Sequence, residues 1–136
     1  HLPRAKHTAE ILNEGLALPM IEIEDLQEQC FGEWEDVPYS ECVDHLRAGI
    51  DPPKGESHAD FNERVRRIKN EILAEHDMPM MVCHGGIFFA FYRLYKREIP
   101  WVANARLYAF NPAETKDFPW DVSIVGEEQS SSCSCR

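Results

Sequence analysis

Val82-Cys83-His84-Gly85-Gly86 is the stretch that decides the fold. Residues 78–82 ahead of it form an apolar run, and residues 87–95 behind it are apolar almost all round. The first run predicts a strand buried on both faces. The second opens a buried helix, predicted over 87–99. His84 then stands where a strand hands over to a helix, beside unpaired N–H groups at the positive end of that helix. Such a junction suits an anion, a phosphate above all. Gly85 and Gly86 let the backbone turn sharply and leave room for a ligand. The same residues equally describe a satisfied histidine packed at a tight junction, and on their own they leave both readings open.

Upstream, Phe61, Val65, Ile68 and Ile72 recur at helical spacing and predict an amphipathic helix over 57–76. Ser57 and Asp60 resemble a capping box at its start. Glu63, Arg66, Arg67, Lys69 and Glu71 form its solvated face. Residues 51–55 (Asp-Pro-Pro-Lys-Gly) are a loop by turn chemistry. Residues 39–50 predict a short helix, and 27–38 a loop containing Phe31, Gly32 and Trp34. Residues 20–26 alternate weakly and predict a short strand. Ala5, Ala9, Leu12 and Leu16 predict a first helix over 4–16, opened by Pro3. Downstream, 105–110 and 121–125 predict two more strands.

Helices alternating with strands predict an α/β chain with a layered sheet, one domain over residues 1–125, followed by a disordered Ser-rich tail over 126–136. In such sheets ligands collect beyond the carboxyl ends of the strands. His84 falls at one such end and Glu28 just past another. Arg4 opens the first helix, which would follow a strand that the 136 residues do not contain. These three groups are expected on one rim. The chain starts at His1 and reads as a piece of a longer protein.

A length of 136 residues is enough for a domain with a real core. The net charge of −10 argues against nucleic acid or an anionic membrane as partner. It leaves an anionic substrate open, because a pocket's local field can oppose the net charge. No apolar run approaches a membrane span, and no signal peptide is visible. Of five cysteines, Cys30, Cys42 and Cys83 are scattered, while Cys133 and Cys135 lie in the tail. The reading is free thiols in a reducing cytoplasm, with no metal and no cofactor.

Four ordered segments resemble the histidine phosphatase superfamily, the phosphoglycerate-mutase-like proteins. Leu2-Pro3-Arg4-Ala5-Lys6-His7-Thr8-Ala9-Glu10 is similar to its L-x-R-A-x-x-T-A-E segment. Residues 26–35, from Leu26 through Glu28, Phe31, Gly32 and Trp34, resemble L-x-E-x-x-F-G-x-W-E. Gly55-Glu56-Ser57 with Phe61 and Arg64 resembles G-E-S…F…R, and residues 82–86 resemble V-S-H-G-G, with Cys83 in place of the commoner serine.

The resemblance implies a three-layer αβα sandwich, here N-terminally truncated. It also implies phosphomonoester hydrolysis or phosphoglycerate-mutase-like transfer through a phosphohistidine. The family's nucleophile lies in an Arg-His-Gly segment, and this sequence contains none. Carried over residue by residue, Arg4 is the second phosphate-binding arginine, its planar fork suited to two phosphate oxygens. Without the motif it is a surface arginine near a helix start. His84 is the pocket histidine that donates to a phosphoryl oxygen in its charged form. Gly85 belongs to the substrate-binding turn. Glu28 is the proton donor to the leaving oxygen, a role that needs a proton held near neutral pH. Read blandly, it is one more solvated carboxylate.

Glu56 and Ser57 either line the mouth or serve the helix start, and Phe31 and Trp34 read as loop packing. His7, His45, His58 and His76 fall on predicted helices, away from strand ends. No substitute nucleophile is expected, so the chain alone is expected to be inactive. The substrate is expected to be a small phosphorylated molecule. Two other readings stand beside this one. The first is a catalytically inactive phosphate-binding module. The second is a chain without stable structure of its own, its strand edges left unpaired.

Overall fold

Two helices that run side by side make the core. They are α3 (His58–Glu75) and α4 (Gly85–Leu94). The computed structural model describes residues 3–95, 102–113 and 119–126. Helix α3 buries Phe61, Val65, Ile68 and Ile72, and α4 buries Ile87, Ala90, Phe91 and Tyr92. The α3 set recurs at the spacing that puts side chains on one helix face, whereas α4 buries three consecutive residues, Ala90, Phe91 and Tyr92, and so more than one face. Phe61, Val65 and Ile87 are the largest fully buried side chains. Each contributes about 1.5–3 kcal/mol by leaving water. Ser57 is the N-cap of α3, as expected: its Oγ accepts from Asp60 N at 3.0 Å and donates to Asp60 Oδ2 at 2.7 Å. Such a cap is worth about 1 kcal/mol.

The chain divides into two compact units, His1–Ile99 and Pro100–Arg136. The first also holds α1 (Pro3–Asn13) and α2 (Tyr39–Arg47), with single 3₁₀ turns at Glu24–Leu26 and Gly32–Trp34. Helix α1 stops three residues earlier than the expected end at 16. Asn13 exchanges two 2.9 Å hydrogen bonds with the backbone of Leu18, and Gly15 takes a left-handed φ of +79°. Its expected apolar stripe buries nothing. The second unit holds β1 (Tyr108–Pro112) and β2 (Trp120–Ile124), paired antiparallel with Phe110 opposite Val122. These fall within three residues of the expected strands.

The two other expected strands do not form. Residues 20–26 end in a 3₁₀ turn, with the Asp25 carboxylate held by Arg67 of α3 at 2.6 Å. Residues 78–82 join no ladder, because β1–β2 is the sole sheet among the described residues. Met78 is 97% exposed and Met80 52%, where burial on both faces was expected. An apolar run becomes a strand only when a neighbour supplies the ladder, and no described residue does so here. The described residues thus show helix and sheet together, an α/β chain. The expected helix end at 96–99 and the tail at 127–136 lie outside the described residues. No helix among the described residues is long and apolar enough to cross a membrane.

Candidate active site

His84 is the N-cap of α4, with extended backbone and no capping hydrogen bond from its side chain. The first N–H groups of α4 are therefore left for another partner. Glu28 supplies it: Gly86 N donates to Glu28 Oε2 at 3.1 Å, across 58 residues of sequence. The other carboxylate oxygen, Oε1, accepts from Gln29 N at 3.0 Å. A carboxylate thus sits where the sequence predicts an anion, at the positive end of a helix. Gly86 is needed for this approach, since a Cβ there would collide with Glu28 Oε1, whereas a Cβ at Gly85 would meet open space.

The site is charged from three directions. Burial pushes the His84 imidazole below its ordinary 6.5; the Glu28 carboxylate pulls it back up, and the Arg4 guanidinium pushes it further down. Arg4, on the first turn of α1, and Glu28 thus both lie within electrostatic reach of His84. Neither the His84 ring nor the Arg4 guanidinium has a hydrogen-bond or ion-pair partner among the described residues. Two donors without acceptors beside a helix N-terminus form an arrangement that can take up an oxyanion. Burial pushes the neighbouring Cys83 thiol up to about 11, so it stays protonated and unreactive at neutral pH.

The loop that carries Glu28 is set by Gly32. Its φ is +53°, and a Cβ there would collide with the backbone of Pro53, Lys54 and Gly55. Glu56 N donates to Cys30 O at 2.8 Å in the same seam. Trp34 stacks on His45 at 5.6 Å, and Trp34 and Phe31 line a cavity of about 170 Å³ with Glu35, Val37 and Cys42. These rings therefore pack the loop. Arg64 takes both oxygens of Glu56, at 2.8 and 2.7 Å.

The other described histidines are engaged elsewhere. His7 lies 3.7 Å from Glu10, His58 meets Gln29 at 3.2 Å, and His76 is the C-cap of α3. Cys30, Cys42 and Cys83 are free thiols. No group of His, Cys, Asp and Glu suited to a metal ion occurs among the described residues. Cys133 and Cys135 lie outside them.

Sequence reading missed Arg93. It is the one basic side chain of α4, its guanidinium lowered by burial and partly restored by the Glu28 carboxylate. It lines a cavity of about 390 Å³ with Leu46, Arg47, Gly49 and His58. The available signal was a single charge within the otherwise apolar stretch 87–95.

The sequence profile of the histidine phosphatase superfamily (branch 1) matches residues 1–115. The chain is 50% identical over 51 residues to an uncharacterized phosphatase, PhoE, of Bacillus subtilis, covering 38% of this chain and 26% of that one. It is 31% identical over 100 residues to the adenosylcobalamin/alpha-ribazole phosphatase of Salmonella typhimurium, covering 63% and 48%. To the bifunctional protein Rv2228c of Mycobacterium tuberculosis it is 35% identical over 85 residues, covering 56% and 23%. The chain therefore spans less than half the length of these relatives. No solved structure matches it. A profile that runs over residues 1–115, and so through all four motifs, shows that this chain belongs to the histidine phosphatase superfamily, branch 1.

Proposed function

We propose that these residues form the acid and phosphate-binding part of a phosphoryl-transfer enzyme of the histidine phosphatase type. It would act on a small phosphorylated substrate in the cytoplasm. The observation that carries this reading is the 3.1 Å contact between Glu28 Oε2 and Gly86 N. It brings a carboxyl group to the helix end that also presents His84. In this reading an incoming phosphoryl group takes the α4 N–H donors and Gly85, displacing the Glu28 carboxylate. Arg4 holds two of its oxygens in a planar fork, and the charged His84 ring donates to a third.

A histidine nitrogen then forms a bond to phosphorus as the ester P–O bond breaks, and protonated Glu28 gives its proton to the leaving oxygen. In the second step water breaks the P–N bond, giving a proton back to the Glu28 carboxylate as phosphate is released; in a mutase a second hydroxyl takes the place of water. The nucleophile belongs to an Arg-His-Gly segment outside the 136 residues, and the whole protein completes a three-layer αβα sandwich. The chain by itself then has no turnover. Arg4 and His84, two donors without a partner among the described residues, support phosphate binding without turnover, which is also what an inactive phosphate-binding module would show.

The purified chain, offered a chromogenic phosphomonoester, should release nothing. Turnover that disappears in His84→Ala would overturn the assignment of the nucleophile to another segment. Inorganic phosphate titrated into the chain should shift the His84 ring resonances. A His84 ring indifferent to phosphate would remove the functional reading itself.

A further inference from the structure

Glu28 sits in irregular backbone between two 3₁₀ turns, yet proton donation needs it held to within about 0.5 Å. Its own bonds do not do this, since Gly86 N and Gln29 N both bind the carboxylate that must move. We propose that Arg64, on the second turn of α3, is the positioning residue that fixes the Glu28 backbone. This inference rests on the proton-donor reading of Glu28. The Arg64 guanidinium makes four hydrogen bonds. Nε and Nη2 grip the two oxygens of Glu56 at 2.8 and 2.7 Å. Nη1 donates to the carbonyl of Asp25 at 2.6 Å and to that of Gln27 at 3.1 Å. Gln27 immediately precedes Glu28.

The following residue is tied to the same partner. Gln29 is 4% exposed, and its amide nitrogen donates to Glu56 O at 2.8 Å, with His58 Nδ1 at 3.2 Å. Gln27 is thus held through its carbonyl by Arg64, and Gln29 through its side-chain amide by the Glu56 backbone, so Glu28 is flanked by tied residues on both sides. The Glu56–Arg64 pair is in turn seated on the core. The Arg64 guanidinium lies 5.0 Å from the centre of the Phe61 ring, and Phe61 is fully buried. Both partners are largely buried, at 13% and 19% side-chain exposure. A buried ion pair is a poor source of stability, because desolvation offsets the attraction. It is a good way to fix geometry, and only a planar fork can reach a carboxylate and two carbonyls at once.

The Gly86 amide reports the result, because its hydrogen bond ends on Glu28. In the intact chain its nitrogen and proton shifts should follow the titration of Glu28, an inflection that Glu28→Gln removes. In Arg64→Gln the inflection should vanish and Gly86 should exchange its hydrogen about tenfold faster, while Val65 and Ile68 amides stay protected. Arg64→Lys keeps the charge but loses the fork, and should fail to restore the inflection. Should Arg64→Gln not fold, Arg64→Lys decides the matter alone. A Gly86 amide that keeps its inflection and protection in a folded Arg64 variant overturns the inference. That result is separate from the phosphate titration, where a silent His84 ring in the unaltered chain would instead remove the proton-donor reading.

Discussion

Phe61, Val65 and Ile87 disappear into the seam between α3 and α4, whereas residues 25–30 bury a single side chain, the amide of Gln29. The seam is held by apolar area, which has no direction and tolerates small shifts. Residues 25–30 are held by directed bonds: Asp25 and Gln27 carbonyls on Arg64, Gln29 on Glu56, and Cys30 O on Glu56 N. The first kind of force can keep a domain folded while leaving a site loose. The second places a carboxyl group accurately while adding little stability. In this chain the two meet at α3, whose inner face is apolar and whose Arg64 carries the loop.

The largest expected effect breaks the seam. Phe61→Ala removes a fully buried ring and should cost about 3–5 kcal/mol of unfolding free energy, read from urea denaturation. Because Arg64 rests on that ring, the Glu28–Gly86 contact should be lost with it. A Gly86 amide that stays protected in the substituted chain would mean the loop is held independently of the core.

Gly86→Ala sharpens the comparison from the other side. The added Cβ meets the end of the flexible Glu28 side chain, which can swing away. Alanine is also the better helix former, by about 0.5–1 kcal/mol. Unfolding free energy should therefore change by no more than about 1 kcal/mol. The backbone amide at position 86 should nevertheless lose all dependence on the Glu28 titration. A stable chain with an altered site would show that the two regions separate, while a large loss of stability would show that they do not.

The two regions also differ in how plainly the sequence announces them. Helix α3 is legible because its evidence is local: an apolar residue every three or four positions, opened by Ser57 with Asp60 three residues on. The expected strand at 78–82 had no such local basis. Its apolar run names a burial that needs a neighbour, and Met78 stands exposed without one. Residues 20–26 fail for the same reason. His84, Glu28 and Arg4 were expected on one rim from strand ends that do not form, and their separate roles came from motif resemblance, since nothing in composition separates Glu28 from its acidic neighbours. Arg64 was in a matched motif, but its partners at Asp25 and Gln27 are backbone carbonyls, which leave no mark on a sequence.

The smallest expected effect lies at His84, where the two regions touch. Burial and Arg4 hold its imidazole below 6.5, against the pull of Glu28. The unfolded chain therefore takes up this proton at a higher pH than the folded one. Between 6.5 and the lower native value the unfolded state carries more protons, so stability rises with pH and falls as acid is added through that window. Comparing the chain with His84→Gln isolates this contribution from the other histidines. Inorganic phosphate should oppose the perturbation, because an anion beside the ring favours its charged form and offsets the Arg4 charge, while burial still works the other way. In phosphate the His84 ring should titrate at higher pH and the acid sensitivity assigned to it should shrink. A His84 titration that phosphate leaves in place would mean that the helix end keeps its carboxylate, and that the Glu28–Gly86 contact is a structural tie like those around Arg64.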